Sequence, residues 1–196
     1  MKTLNIIAII ILTSCTLFTQ SKYLLPCNCQ LLEASLDSAL NFVGIIEETG
    51  SNDGELIVKF LRSVGRKKGE AYCAAGQYYC FYIAALAMNL GLEDIPLKRT
   101  GLANAMFDEA KKKGRKVRFF ANKHDLIIWR RNSTPFGHTE RILETQNAGW
   151  VLTIAFNTSQ YIKGKGRVEG IFIKRRNIFL PLGKMRVRGI IGFYCK

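Results

Sequence analysis

The feature that constrains this chain most is a change of hydrophobic period near residue 114. Before it, apolar residues recur at helical spacing in three segments, from about 52, 71 and 102, and Gly65, Gly69, Gly91 and Gly114 punctuate them. The second segment, AYCAAGQYYCFYIAALAMNL (71–90), holds no acid or base, so its helix should be buried on nearly all sides, with Gly91 placed to end it. After residue 114 the period shortens. Segments 124–131, 137–145, 149–157, 166–175 and 185–194 are β-branched and partly alternating, with turn residues between them. Helices followed by a run of strands imply an α+β fold with an antiparallel sheet. Asn52 and Glu55 have the spacing of a capping box for the first helix.

The first residues read differently. MKTLNIIAIIILTSC has an early Lys, an apolar run from Ile6 to Leu12 and then small polar residues. That run is too short to span a bilayer but suits a signal segment. Its end, Leu12-Thr13-Ser14-Cys15, resembles the lipobox of bacterial lipoproteins, in which the Cys is lipidated. Ordinary secretion and a retained anchor are the alternatives, and all three export the protein. The expected organisation is a lipoprotein-like signal peptide at 1–15, a tether and weakly helical segment at 16–40, and one domain at 41–196.

The formal charge is +14. Residues 98–131 hold eleven Lys or Arg against three acids, and residues 161–196 hold ten against one. Such a chain is drawn to polyanions, unless the charges only solvate outer strand faces. For an exported protein, wall polymers, stem-peptide carboxylates or lipid headgroups fit better than nucleic acid, and no nucleic-acid motif is present. No metal, cofactor or nucleic-acid partner is expected, and a monomer is.

Six cysteines occur, at 15, 27, 29, 73, 80 and 195. Export permits disulfides. With Cys15 lipidated, five remain, and one free thiol is expected if the others pair. Pairing of Cys27 or Cys29 with Cys195 would tie the chain ends, but the pattern stays open among Cys27, Cys29, Cys80 and Cys195.

Cys73 sits near the start of the apolar helix, where the partial positive charge of a helix N-terminus favours a thiolate. His138 follows a Gly at the start of a strand and is placed to accept the thiol proton. Cys80 lies about two turns deeper among Tyr79, Phe81 and Tyr82, so core packing suits it better. A buried structural Cys73 and a strand-end His138 are the plain alternatives. His124, among Asn122, Lys123 and Asp125, reads as a surface or turn residue. Asn52-Asp53-Gly54 lacks the spaced acids of a calcium loop.

The order Tyr72-Cys73-Ala74-Ala75, then Asp125-Leu126-Ile127, then Gly137-His138, then Thr153-Ile154-Ala155-Phe156-Asn157-Thr158 resembles the CHAP and NlpC-type cysteine amidase and peptidase group. The segment from Gly44 to Gly54 resembles a CHAP leader, and the likeness covers about residues 41 to 175. It implies a papain-like fold with a catalytic-type Cys at a helix N-terminus, packed on a five- to six-stranded antiparallel sheet. It also implies hydrolysis of amide bonds in bacterial peptidoglycan. Cys73 matches the nucleophile, His138 the general base and Asn157 a polar residue one strand on. Tyr72 is expected to line the pocket. Ala155 stands where many relatives carry the acid that orients the His. Glu140, two residues from His138 and on the same strand face, is the expected replacement. The alternative is a catalytically impaired domain of this fold that binds cell wall or another anionic polymer.

Overall fold

The computed structural model describes residues 20–132 and 134–196; the expected signal peptide and lipidation at Cys15 lie outside the described residues. Four helices and seven strands follow in the order β1 (Ser21–Cys27), α1 (Cys29–Leu40), α2 (Glu55–Ser63), α3 (Cys73–Ala87), α4 (Ala103–Lys113), β2 (Arg115–Val117), β3 (Leu126–Arg130), β4 (Gly137–Thr145), β5 (Trp150–Ile162), β6 (Gly166–Asn177) and β7 (Arg186–Cys195). All strands join one sheet, ordered β2-β1-β7-β3-β4-β5-β6. The α+β class expected of the period change is the observed one. The sheet is larger than the expected five to six antiparallel strands, because β1 enters it parallel to β7.

That strand corrects the expected tether. Ser21 pairs with Gly189 and Cys27 with Cys195 along β7, and Lys22 pairs with Val117 of β2 on the other side. Tyr23, Leu25 and Cys27 are buried, so the segment ahead of residue 41 is part of the core. Pro26 fits because the β2 ladder stops at Leu24, which leaves no bond for its missing N–H on that side. Asn28 then starts α1, its side chain accepting from the N–H groups of Gln30 and Leu31 at 2.8 and 3.2 Å.

Helix α2 starts without the expected capping box. Gly54 is its cap, and the Asn52 side chain bonds elsewhere. Helix α3 ends at Ala87, two residues earlier than a stop at Gly91 implies. Asn89 takes the left-handed conformation at φ 54°, and the N–H groups of Asn89 and Leu90 bond the carbonyls of Leu86 and Ala85. This is a Schellman ending with Asn in the usual Gly position.

The helices cover one face of the sheet, packing on Leu126, Ile128, Ile154, Phe156, Ile171 and Ile191. Gly76 lets α3 lie close, since a Cβ there would meet the Phe156 ring at 2.2 Å. The opposite face, with Ile127, Trp129, Ile142 and Val151, is covered by Phe119, Ala121 and the segment from Ile178 to Val187.

Among the described cysteines, Cys29 and Cys195 form a disulfide, while Cys27, Cys73 and Cys80 are free and buried. The expected single free thiol is thus corrected to three, because Cys27 and Cys80 point into the core rather than toward a partner. Cys80 is fully buried, as its aromatic neighbours imply. His124 is not a surface residue. It is 8% exposed and bridges Glu33 at 2.9 Å and the buried Arg141 guanidinium at 3.1 Å.

Candidate active site

The site is built where α3 starts and β4 starts. Cys73 is the first residue of α3, after Tyr72 as its cap. His138 is the second residue of β4. Gly137 lets the start of β4 lie close against β3 and α4: a Cβ there would lie 2.3 Å from the Trp129 carbonyl oxygen and 2.9 Å from Asn104 Nδ2. Asn104 fixes the turn ahead of β4 by donating to the Pro135 and Phe136 carbonyls at 3.0 and 2.8 Å. Arg188 in turn holds the Asn104 carbonyl and side chain at 2.9 and 3.0 Å.

The Cys73 sulfur lies 4.0 Å from the Gly137 carbonyl oxygen. Burial alone would push its thiol up. The neighbouring His138 imidazolium and the backbone N–H groups of Thr139 and Ala74 outweigh that and hold it below the ordinary range. Burial disfavours charge on His138 too, yet the neighbouring Cys73 thiolate and the bonded, negatively charged Glu140 raise it to about 10. Each group thus favours the charged form of the other.

Glu140 completes the cluster. His138 Nε2 lies 3.1 Å from its Oε1, which leaves Nδ1 as the ring nitrogen free for the thiol proton. Thr153 donates to Oε2 at 2.6 Å, and Arg176 grips both oxygens, with Nε at 3.0 Å from each and Nη2 at 2.8 Å from Oε1. Burial would raise this carboxyl, but His138 and then Arg176 hold it down to about 2. In the sheet register Glu140 pairs with Ala155, so its carboxylate stands beside the position that lacks an acid.

The cluster is enclosed: Cys73 is 3% exposed, His138 8% and Glu140 fully buried. Asn157 and Tyr72 do not stand as expected. Asn157 sits at a bulge of β5 with φ 58°, and its side chain donates to Asn52 Oδ1 rather than to His138. Asn52 also donates to the Gly69 carbonyl and, through its N–H, to Glu47 Oε2 at 2.7 Å. Asn157 thus pins the 47–54 loop beside the start of α3. Tyr72 is fully buried against Phe60, so it lines no open pocket. Burial and the facing Glu47 carboxylate push its phenol up, though the hydroxyl makes no hydrogen bond.

Sequence reasoning missed Arg176, Thr153, Asn104 and Arg188. Thr153 and Arg176 reach Glu140 only through the β4–β5–β6 register. Arg176 lies in the basic run 174–176, which reads equally well as a solvated strand face.

The fold and the cluster define an α+β protein with a thiol–imidazole–carboxylate relay at a helix N-terminus. No protein-family model, no curated protein and no solved structure matches the chain. No group of three or more His, Cys, Asp or Glu able to hold a metal ion occurs among the described residues.

Proposed function

We propose that the protein is an exported cysteine hydrolase that cuts amide bonds of peptidoglycan. The observation that carries the chemistry is the Cys73–His138–Glu140 relay. Substrate class and the papain-like character of the fold rest on the resemblance to CHAP and NlpC-type enzymes. Export, with attachment through a lipidated Cys15, rests on the signal segment, and the Cys29–Cys195 disulfide supports an oxidising compartment. No helix among the described residues is long and apolar enough to cross a membrane.

In the proposed reaction the Cys73 thiolate attacks the amide carbonyl carbon and a sulfur–carbon bond forms. The N–H of Cys73, at the first helical position, has no intrahelical acceptor and faces the developing oxyanion, a contribution of about 3–4 kcal/mol at the transition state. The His138 imidazolium gives its proton to the leaving nitrogen as the carbon–nitrogen bond breaks. A water then attacks the thioester, His138 takes its proton, and the carboxylic acid leaves as the thiolate is restored. Glu140 keeps Nε2 occupied throughout and holds the ring.

The test is digestion of purified peptidoglycan, read by mass spectrometry. Wild-type protein should release stem peptides and Cys73→Ala none; equal release would sink the mechanism. The 3% exposure of Cys73 favours a second reading, a domain that binds the wall or another anionic polymer without cutting it. Wall binding retained with no released peptide would establish that reading instead.

A further inference from the structure

An aromatic patch lies where β1 begins. Phe120, Phe179 and Leu180 are 46%, 56% and 51% exposed, although soluble surfaces seldom gather such side chains. Phe119 packs on Phe179 with ring centroids 5.9 Å apart, and with Trp150 and Ile178 these residues line a shallow cavity of about 220 Å³. Basic residues flank the segments that form it: Arg118 precedes Phe119, and Lys184 precedes Met185, which packs in one cluster with Phe119 and Ile178. Arg118, Arg175 and Lys184 are exposed, and none has a carboxylate at ion-pair distance among the described residues. Arg175 stacks over Trp150 at 4.2 Å. No acidic residue occurs from Gly170 to the C-terminus. Lys22, the second residue of β1, holds its ammonium 4.5 Å from the centre of the Phe120 ring. The chain therefore enters the fold beside the patch, and Cys15 stands six residues ahead of Ser21, within about 20 Å of it when fully extended.

We infer that this patch docks the folded domain on an anionic phospholipid bilayer. Aromatic rings enter the headgroup boundary, and the flanking cations meet lipid phosphates. The inference rests on the membrane attachment proposed above. The patch adds a second contact that fixes how the domain stands on the surface.

Trp150 reports it. The full chain is reconstituted in vesicles of brominated phosphatidylglycerol or brominated phosphatidylcholine, and Trp emission is measured, with Trp150→Phe identifying the responsive ring. Phosphatidylglycerol should quench Trp150 at least twofold, and phosphatidylcholine or high salt should not. Phe120→Ser with Phe179→Ser should abolish the quenching, and so should Arg118→Glu with Lys184→Glu, which leaves the rings in place. Quenching that survives both double variants overturns the inference. Flotation of the vesicles reads the attachment separately. A chain that floats without quenching overturns docking and leaves attachment standing. Quenching by chain that carries no lipid supports docking and removes the attachment. A chain that does neither overturns both.

Discussion

Glu140 governs the charge state of the site. It is fully buried, yet it stays ionised because His138, Thr153 and Arg176 satisfy it from three directions. Glu140→Gln keeps the shape and removes the charge that stabilises the imidazolium. We expect amide hydrolysis to fall about 10²- to 10⁴-fold, with the wall-binding affinity unchanged. The thiol gives an independent readout through iodoacetamide labelling against pH. In the wild type, labelling of Cys73 should persist to lower pH than that of an ordinary thiol, because its thiol is held below the ordinary range. On the basic side the imidazolium is lost near pH 10, so hydrolysis should decline there. Cys27 and Cys80, pushed up by burial to about 11 and 12, should label slowly at neutral pH. A single profile for all three thiols would refute the ion pair. Glu140 was legible in the sequence because two residues on a strand share a face. Arg176 was not, because its role depends on a register between strands that alternation alone does not set.

At the scale of elements, β1 is the largest departure from what the sequence implies. SKYLLPC is short, carries a Pro and follows an apolar leader, so it reads as connection. Its burial arises from β7, whose paired residues lie 168 positions on (Ser21 with Gly189), and no local pattern reports such a partner. The five later strands were legible because turn residues bracket them and apolar alternation marks their faces. Lys22 anchors β1 through a fully buried pair with Asp125 at 2.5 Å, aided by the Phe120 carbonyl. Burial raises Asp125 to about 6, and Lys22 with the Asn122 N–H opposes the rise. Lys22→Met should remove that opposition and cost about 3–5 kcal/mol at pH 7, measured by urea unfolding. The sign with pH follows. A buried carboxyl whose folded value lies above its unfolded value of roughly 3.9 binds a proton more readily when folded. The variant should therefore regain stability as pH falls from 7 toward 4. A deficit that stays constant over that range would mean that Asp125 is not the group left unpaired.

For the molecule as a whole, the decisive link is Cys29–Cys195. It joins residues 166 apart in sequence, at the point where β1 and β7 lie side by side and the Lys196 N–H meets the Cys27 carbonyl. The sheet needs both ends of the chain: β7 separates β1 from β3, so loss of either strand exposes the core formed by Tyr23, Leu25 and Ile191. Closing so long a loop restricts the unfolded chain, and the chain-entropy estimate is roughly 5 kcal/mol. Cys29→Ser with Cys195→Ser should lower the melting temperature markedly. The Cys73 relay stands on α3 and β4, and neither element carries the bridge. At 25 °C the double variant should therefore keep the low-pH labelling of Cys73 while losing resistance to heat. Cys27, although it pairs with Cys195 in the β1–β7 register, should not exchange with the bridge, because burial pushes its thiol up to about 11 and its sulfur is turned into the core. Peptide mapping after mild oxidation should then find only Cys29–Cys195. A Cys27–Cys195 bridge at comparable yield would show that the register alone, and not the core-facing direction of Cys27, decides the pairing.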